Sequence, residues 1–174
     1  MSSASATSPD VPYFEYSVRG ADDFDLPFLE QMFFAAADWN PQNAHGEEHW
    51  RADPMLEKYL GGWKRHNDFG FIVEADDEPV GAVWMRYFEA ADPGYGFVDE
   101  LTPELTLGVL DGFRGRGLGR RLLQAAVDAA PAKLSLSVED GNGAIRLYEQ
   151  FGFLATGRVG NSTTMVREAD GTTE

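Results

Sequence analysis

The run PELTLGVLDGFRGRGLGRRLLQAAVDAA constrains this chain more than any other stretch. A β-rich segment feeds a turn, and RGRGLGRRLLQAAVDAA then reads as a strong helix. Leu118, Leu122, Ala125, Ala126 and Ala129 recur on one of its faces. A strand that passes tightly into an amphipathic helix buries the helix's apolar side on a sheet, which points to an α/β fold. The turn also has the physics of an anion site. Amides at a helix start lack partners inside the helix, and the helix dipole favours negative charge there. Gly115, Gly117 and Gly119 remove side chains, so a phosphate can touch the backbone. Arg114, Arg116 and Arg120 add positive charge. Taken alone, a glycine trio reads more simply as a loosened loop with a solvated basic face. Other phosphate loops fit worse. Counted from Gly115, the third glycine of G-x-G-x-x-G is replaced by Arg120, and the G-K-[ST] of a Walker loop is absent.

The remaining pattern extends the α/β reading. Residues 13–18 predict a first strand. Asp22 or Asp23 offers an N-cap, Pro27 sits near the first turn, and FLEQMFFAAA follows as a helix. DWNPQNAHGEEHWRADP is polar, irregular and studded with aromatics, and a second helix is predicted over residues 54–63. FGFIVEADDEPVGAVWMRYF reads as a hairpin around Asp76-Asp77-Glu78-Pro79. KLSLSVE is a strand, GAIRLYEQF a short helix, and strands near 153–156 and 163–167 finish the pattern. The order β-α-α-β-β-β-α-β-α-β-β predicts a mixed, twisted sheet of six or seven strands flanked by about four helices. One domain is expected over residues 11–168, between floppy tails at 1–10 and 169–174.

Charge sharpens the meaning of the arginines. The formal net charge is −15, a field that repels nucleic acid and anionic lipid and attracts cations. Solubility or adaptation to salt is the plainer account of it. Against that background Arg114, Arg116, Arg120 and Arg121 form a tight basic cluster, as a site meeting an anion would. No stretch approaches the roughly 20 apolar residues of a membrane span. The first ten residues lack the features of a signal peptide. Cysteine is absent, so no disulfide framework or thiol chemistry is expected, and a cytoplasmic location fits.

Arg114-Gly115-Arg116-Gly117-Leu118-Gly119, an R-x-x-G-x-G pattern, resembles the coenzyme A pyrophosphate loop of the GCN5-related N-acetyltransferases. Upstream, ELTLGVL resembles that family's central strand. Downstream, LSLSVEDGNGAIRLYEQFGF resembles its second signature. The three pieces agree in order and spacing from Glu104 to Phe153. The resemblance implies direct transfer of the acetyl group of acetyl-CoA to a primary amine in a ternary complex, without a metal. The acceptor could be a polyamine, amino acid, aminoglycoside-like drug or protein amine, and a cationic one suits the acidic chain. Roles follow from the same resemblance. Val109 and Leu110 lend backbone groups to the pantetheine arm, which lies where the central strand splays from KLSLSVE. Backbone amides from Arg116 through Leu118 to Arg120 hold the pyrophosphate, and Asn142 contacts the cofactor. Tyr148 is the general acid beside the thiolate; core packing with Ile145 and Phe151 is its alternative. Glu104 stands where many relatives carry a carboxylate base; a surface acid at a strand start is the alternative, and Asp99 and Glu100 are other candidates. Family habit alone implies a homodimer. A non-catalytic acyl-CoA sensor or scaffold is the second class, and the intact loop and Tyr148 favour an enzyme.

His45-Gly46-Glu47-Glu48-His49 also matches H-x-x-E-H, an inverted zinc-protease signature. Two histidines at i and i+4 on a helix can share a metal. Here Pro41, Gly46 and Pro54 interrupt the segment and no third ligand is marked, so no metal is expected. The resemblance instead places acceptor contacts in this region. Trp39, Trp50, Tyr59 and Trp63 are candidates for that pocket, with core or lid packing as the alternative for at least two of them.

Overall fold

The computed structural model describes residues 12–130 and 132–170. The expected tail at 1–10, and residues 171–174 of the other, lie outside the described residues. The chain runs β1 (Tyr16–Gly20), α1 (Leu26–Ala37), α2 (Glu47–Ala52), α3 (Pro54–Leu60), β2 (Phe69–Ala75), β3 (Glu78–Arg86), β4 (Glu104–Val109), α4 (Leu118–Ala129), β5 (Leu134–Glu139), α5 (Ala144–Gln150), β6 (Leu154–Val159) and β7 (Ser162–Arg167). The seven strands form one mixed sheet, as the sequence pattern predicts, and their order in it is β1-β2-β3-β4-β5-β7-β6. Every neighbouring pair is antiparallel except β4 and β5.

Local chemistry explains most of these elements. Asp22 caps the 3-10 turn that leads into α1, and Asp25 reaches back to the Asp22 amide to close a capping box. The β2–β3 hairpin turns on Asp76 and Asp77, both left-handed at φ 47° and 67°, the pairing a two-residue hairpin turn demands. Helix α4 starts at Leu118, later than RGRGLG suggests, because Gly115 and Gly117 both adopt left-handed backbone angles of 75° and 77°. Leu118, Leu122, Leu123 and Ala126 bury its apolar side. Ala129, expected on that side, is exposed at the helix end.

The helix predicted over 54–63 is α3, ending at Leu60, and a further short helix, α2, forms in the stretch before it that reads as irregular. Gly46, at φ 86°, turns the chain into α2. Glu47 and Glu48 occupy its first turn and His49 and Arg51 its last, which complements the helix dipole. Arg51 ties the helix down through Glu47 and through Glu30 of α1. Asp53 then caps α3, with Pro54 at its start.

The sheet separates two cores. On one face α4 packs on Val83, Leu105 and Val109. On the other, Leu29, Met32 and Phe33 of α1 pack on Ile72, Ala82 and Trp84. Helix α1 lies tight against β4, since a Cβ on Gly108 would fall 2.6 Å from the Met32 carbonyl oxygen. A buried ion pair, Arg86 Nη2 to Asp68 at 2.8 Å, also reaches the Lys58 carbonyl and fixes α3 to the sheet. One departure from regularity positions the site: β4 and β5 pair only at Glu104 and Ser135. Beyond that point the two parallel strands diverge.

Candidate active site

The divergence opens a cleft of about 1120 Å³ through the sheet. At its outer end stands the start of α4. Gly117 is the N-cap, no side chain caps the helix, and its first intrahelical bond is from the Arg121 amide to the Gly117 carbonyl. The amides of Leu118, Gly119 and Arg120 are therefore free to take an anion. Gly115, Gly117, Leu118, Gly119 and the Arg114 and Arg120 side of the turn line the cleft. Arg114 braces the turn by donating from Nε to the Val109 carbonyl at 3.3 Å. Arg120 donates to Gln150 and lies over the Phe151 ring. Arg116 departs from expectation. Its guanidinium packs on Phe14 and Phe113, 5.5 and 5.6 Å from the ring centres, and does not line the cleft.

Strand alternation decides which backbone groups of β4 are available. The Leu110 amide donates to the Val80 carbonyl at 2.8 Å, so it is not a free donor as expected. Val109 pairs with Gly81, and one residue along an antiparallel ladder the amide turns to the opposite edge. The Val109 N–H thus faces the gap toward β5, and Val109 lines the cleft while Leu110 does not.

Tyr148 and Asn142 border the cleft from the α5 side. The Tyr148 ring meets Phe153 edge-on at 5.9 Å, so it is a core aromatic as well as a cleft residue. Burial pushes its phenol up to about 12. Among the described residues no hydrogen bond ties that hydroxyl. Asn142 accepts the Ala144 amide at its Oδ1, 2.9 Å away, which sets the first turn of α5 and leaves its amide nitrogen for a ligand.

On the opposite face of the same gap lies Glu104, at the point where β4 and β5 part. It is only 2% exposed. Gly94 and Gly96 wrap it closely; a Cβ on either would collide with the carboxyl. The Gly96 amide donates to Oε1, whereas Oε2 makes no close hydrogen bond, and neither does the hydroxyl of its register partner Ser135. Burial raises the carboxyl to about 7, opposed by the Tyr59 hydroxyl, the Gly96 amide and the charge of Lys58. The other acids proposed for this role are occupied elsewhere. Asp99 is exposed and accepts from Leu101 and Thr102, and exposed Glu100 accepts from Ala90.

Aromatic side chains complete this face. Trp39, Trp50 and Tyr59 line the cleft. Trp63 does not; it is buried and donates to the Asp22 carbonyl at 2.9 Å. Trp39 donates from its indole to Glu139 of β5 at 3.2 Å, bridging the end of α1 to the far strand of the gap. His45 and His49 stack on each other at 4.4 Å and meet the edge of Trp50, outside the cleft lining. The described residues contain no group of three His, Cys, Asp or Glu side chains placed to hold a metal. They contain no helix long and apolar enough to cross a membrane. Two partners of Glu104 escaped the sequence reading: the glycine pair of DPGYGF, visible as a pattern, and the contact with Tyr59, which had no local signal.

The sequence profile of the Acetyltransferase (GNAT) family matches residues 29–153. The chain belongs to this family. The GNAT chain is 27% identical over 125 residues to the mycothiol acetyltransferase of Corynebacterium efficiens, covering 69% of itself but only 38% of that relative. Its fold matches yncA of Salmonella typhimurium, solved with acetyl-CoA, at a TM-score of 0.61 and 22% identity, covering 91% and 96% of the two chains. It also matches the PaiA N-acetyltransferase of Thermoplasma acidophilum, solved with coenzyme A, at a TM-score of 0.66 and 16% identity, covering 88% and 99%. At these identities the solved structures speak for the GNAT fold alone.

Proposed function

We propose that residues 11–168 form one acetyltransferase domain that moves the acetyl group of acetyl-CoA directly onto a primary amine. The observation that carries this is the single gap between β4 and β5. It joins an uncapped, glycine-lined helix start to a buried carboxyl with an unpartnered oxygen. The solved neighbours with acetyl-CoA or coenzyme A supply the cofactor class.

The residues fit that cosubstrate, which brings the activated acetyl group. The amides of Leu118, Gly119 and Arg120 bind its pyrophosphate, with Arg114 and Arg120 at the rim. Asn142 and the β4 edge hold the arm. Glu104 takes a proton from the acceptor amine. A group near pH 7 is well matched to that task. Below about 7 the carboxyl is protonated and cannot accept, so the rate rises with pH through that value. The Val109 N–H donates to the carbonyl oxygen as charge grows on it. Tyr148, protonated at neutral pH, donates to the departing sulfur. Trp39, Trp50 and the two carboxylates Glu104 and Glu139 favour a cationic acceptor. A cytoplasmic enzyme without a metal follows from the same account, and a homodimer is expected from the family alone.

A panel of primary amines incubated with acetyl-CoA tests this through release of free thiol. We expect thiol release that depends on the amine and survives a metal chelator. Tight coenzyme A binding with no turnover on any amine would instead identify a sensor or scaffold.

A further inference from the structure

Tyr59 stands between the protein core and the proposed base. Its backbone carbonyl accepts the Trp84 indole at 3.3 Å. Its ring packs against Phe33 and edge-on to Phe88, with centroids 6.2 and 5.3 Å away. Helix α3, which carries it, is pinned by Arg86 through the Lys58 carbonyl. The hydroxyl accepts the Tyr95 amide at 2.9 Å. A phenol that accepts from an amide has its own proton left to give. The Glu104 carboxyl lies beside it: consecutive amides of one loop reach the two groups, Tyr95 the hydroxyl and Gly96 the carboxyl, and both side chains line the cleft.

We propose that Tyr59 is a positioning residue for Glu104: oriented by the Tyr95 amide, its hydroxyl donates to the carboxylate, holds it at the point where β4 and β5 part, and sets the pH at which the group ionises. The role in catalysis rests on Glu104 being the base; the effect on its ionisation does not. Few other charges face this carboxyl. Lys58, on α3, is paired with Asp92. Arg86, the β3 register partner of Glu104, is held by Asp68. The 94–96 loop offers only the Gly96 amide, and β5 only the neutral Ser135. A donor hydrogen bond favours the charged form and so works against burial. Removing it leaves burial less opposed, and the proton is then held to higher pH.

Carboxyl-carbon NMR titrations of the wild type, Tyr59→Phe and Glu104→Gln test this without any acceptor. The resonance titrating near pH 7 and missing from Glu104→Gln belongs to Glu104. In Tyr59→Phe it should titrate about one pH unit higher, a roughly tenfold change in proton affinity. Thermal stability and coenzyme A affinity, measured alongside, should change little because the ring stays. An unmoved midpoint in a folded Tyr59→Phe protein would reduce Tyr59 to packing and overturn the proposal. Unchanged acetyl transfer in Glu104→Gln would defeat the base assignment separately, even if the midpoint had moved.

Discussion

Burial acts on Tyr148 and Glu104 in the same direction with opposite consequences. It raises the phenol to about 12, which in the proposed mechanism secures a proton for the leaving sulfur. It raises the carboxyl to about 7, which leaves the proposed base only partly ionised at neutral pH. Tyr148→Phe keeps the ring that packs on Phe153 and deletes only the hydroxyl. Coenzyme A affinity and melting temperature should barely change, while single-turnover transfer should slow by about 10²–10⁴-fold, the usual worth of general acid catalysis. Wild-type single-turnover rates in the Phe variant across the pH range would leave Tyr148 as a core aromatic only. The place of Tyr148 beside the cleft was legible in the sequence because its neighbours Asn142 and Phe151-Gly152-Phe153 sit in the same short segment. The burial of Glu104 was not. A carboxylate after Pro103 reads as a surface acid, and the groups that enclose it come from Tyr59 and the 94–96 loop.

Among elements, the turn before α4 shows how local pattern and backbone geometry divide the information. The apolar spacing of Leu118, Leu122 and Ala126 announces the helix, but its starting residue depends on two left-handed glycines. At Gly117 a Cβ would meet open space, so the glycine answers to backbone angle and to the approach of a ligand. Gly117→Val forces a branched side chain into a left-handed conformation that costs other L-residues roughly 1–2 kcal/mol. The loop should relax and coenzyme A affinity fall by about tenfold or more, since ~1.4 kcal/mol is a factor of ten. Calorimetry showing unchanged affinity with the fold intact would reject this turn as the pyrophosphate site. Helix α2 was illegible for a different reason. Its six residues carry no apolar periodicity, and it is held by Gly46 and by Arg51 reaching Glu30 on another helix. Leu123 likewise escaped the predicted buried face, because the sheet covers more of α4 than one row of side chains.

For the whole molecule, the decisive feature is a place where the sheet fails to close. A mixed sheet of this size could be anticipated from the element pattern. The splay of β4 from β5 could not, because one register pair followed by divergence is a tertiary event; only the family resemblance suggested it. The splay gives the cleft two faces, with α4 and Tyr148 toward one and α1, Trp39 and Glu104 toward the other. In the proposed reaction two substrates meet through this gap and the acetyl group passes directly between them, in a chain that has no cysteine to carry it. Mass spectrometry of the protein and its products tests that arrangement most directly. After incubation with acetyl-CoA alone the protein should gain no acetyl group, and on adding an amine active in the panel the acetyl should appear on that amine within one turnover. An acetylated protein that forms without the amine, and passes its acetyl to the amine when the cofactor has been removed, would contradict direct transfer.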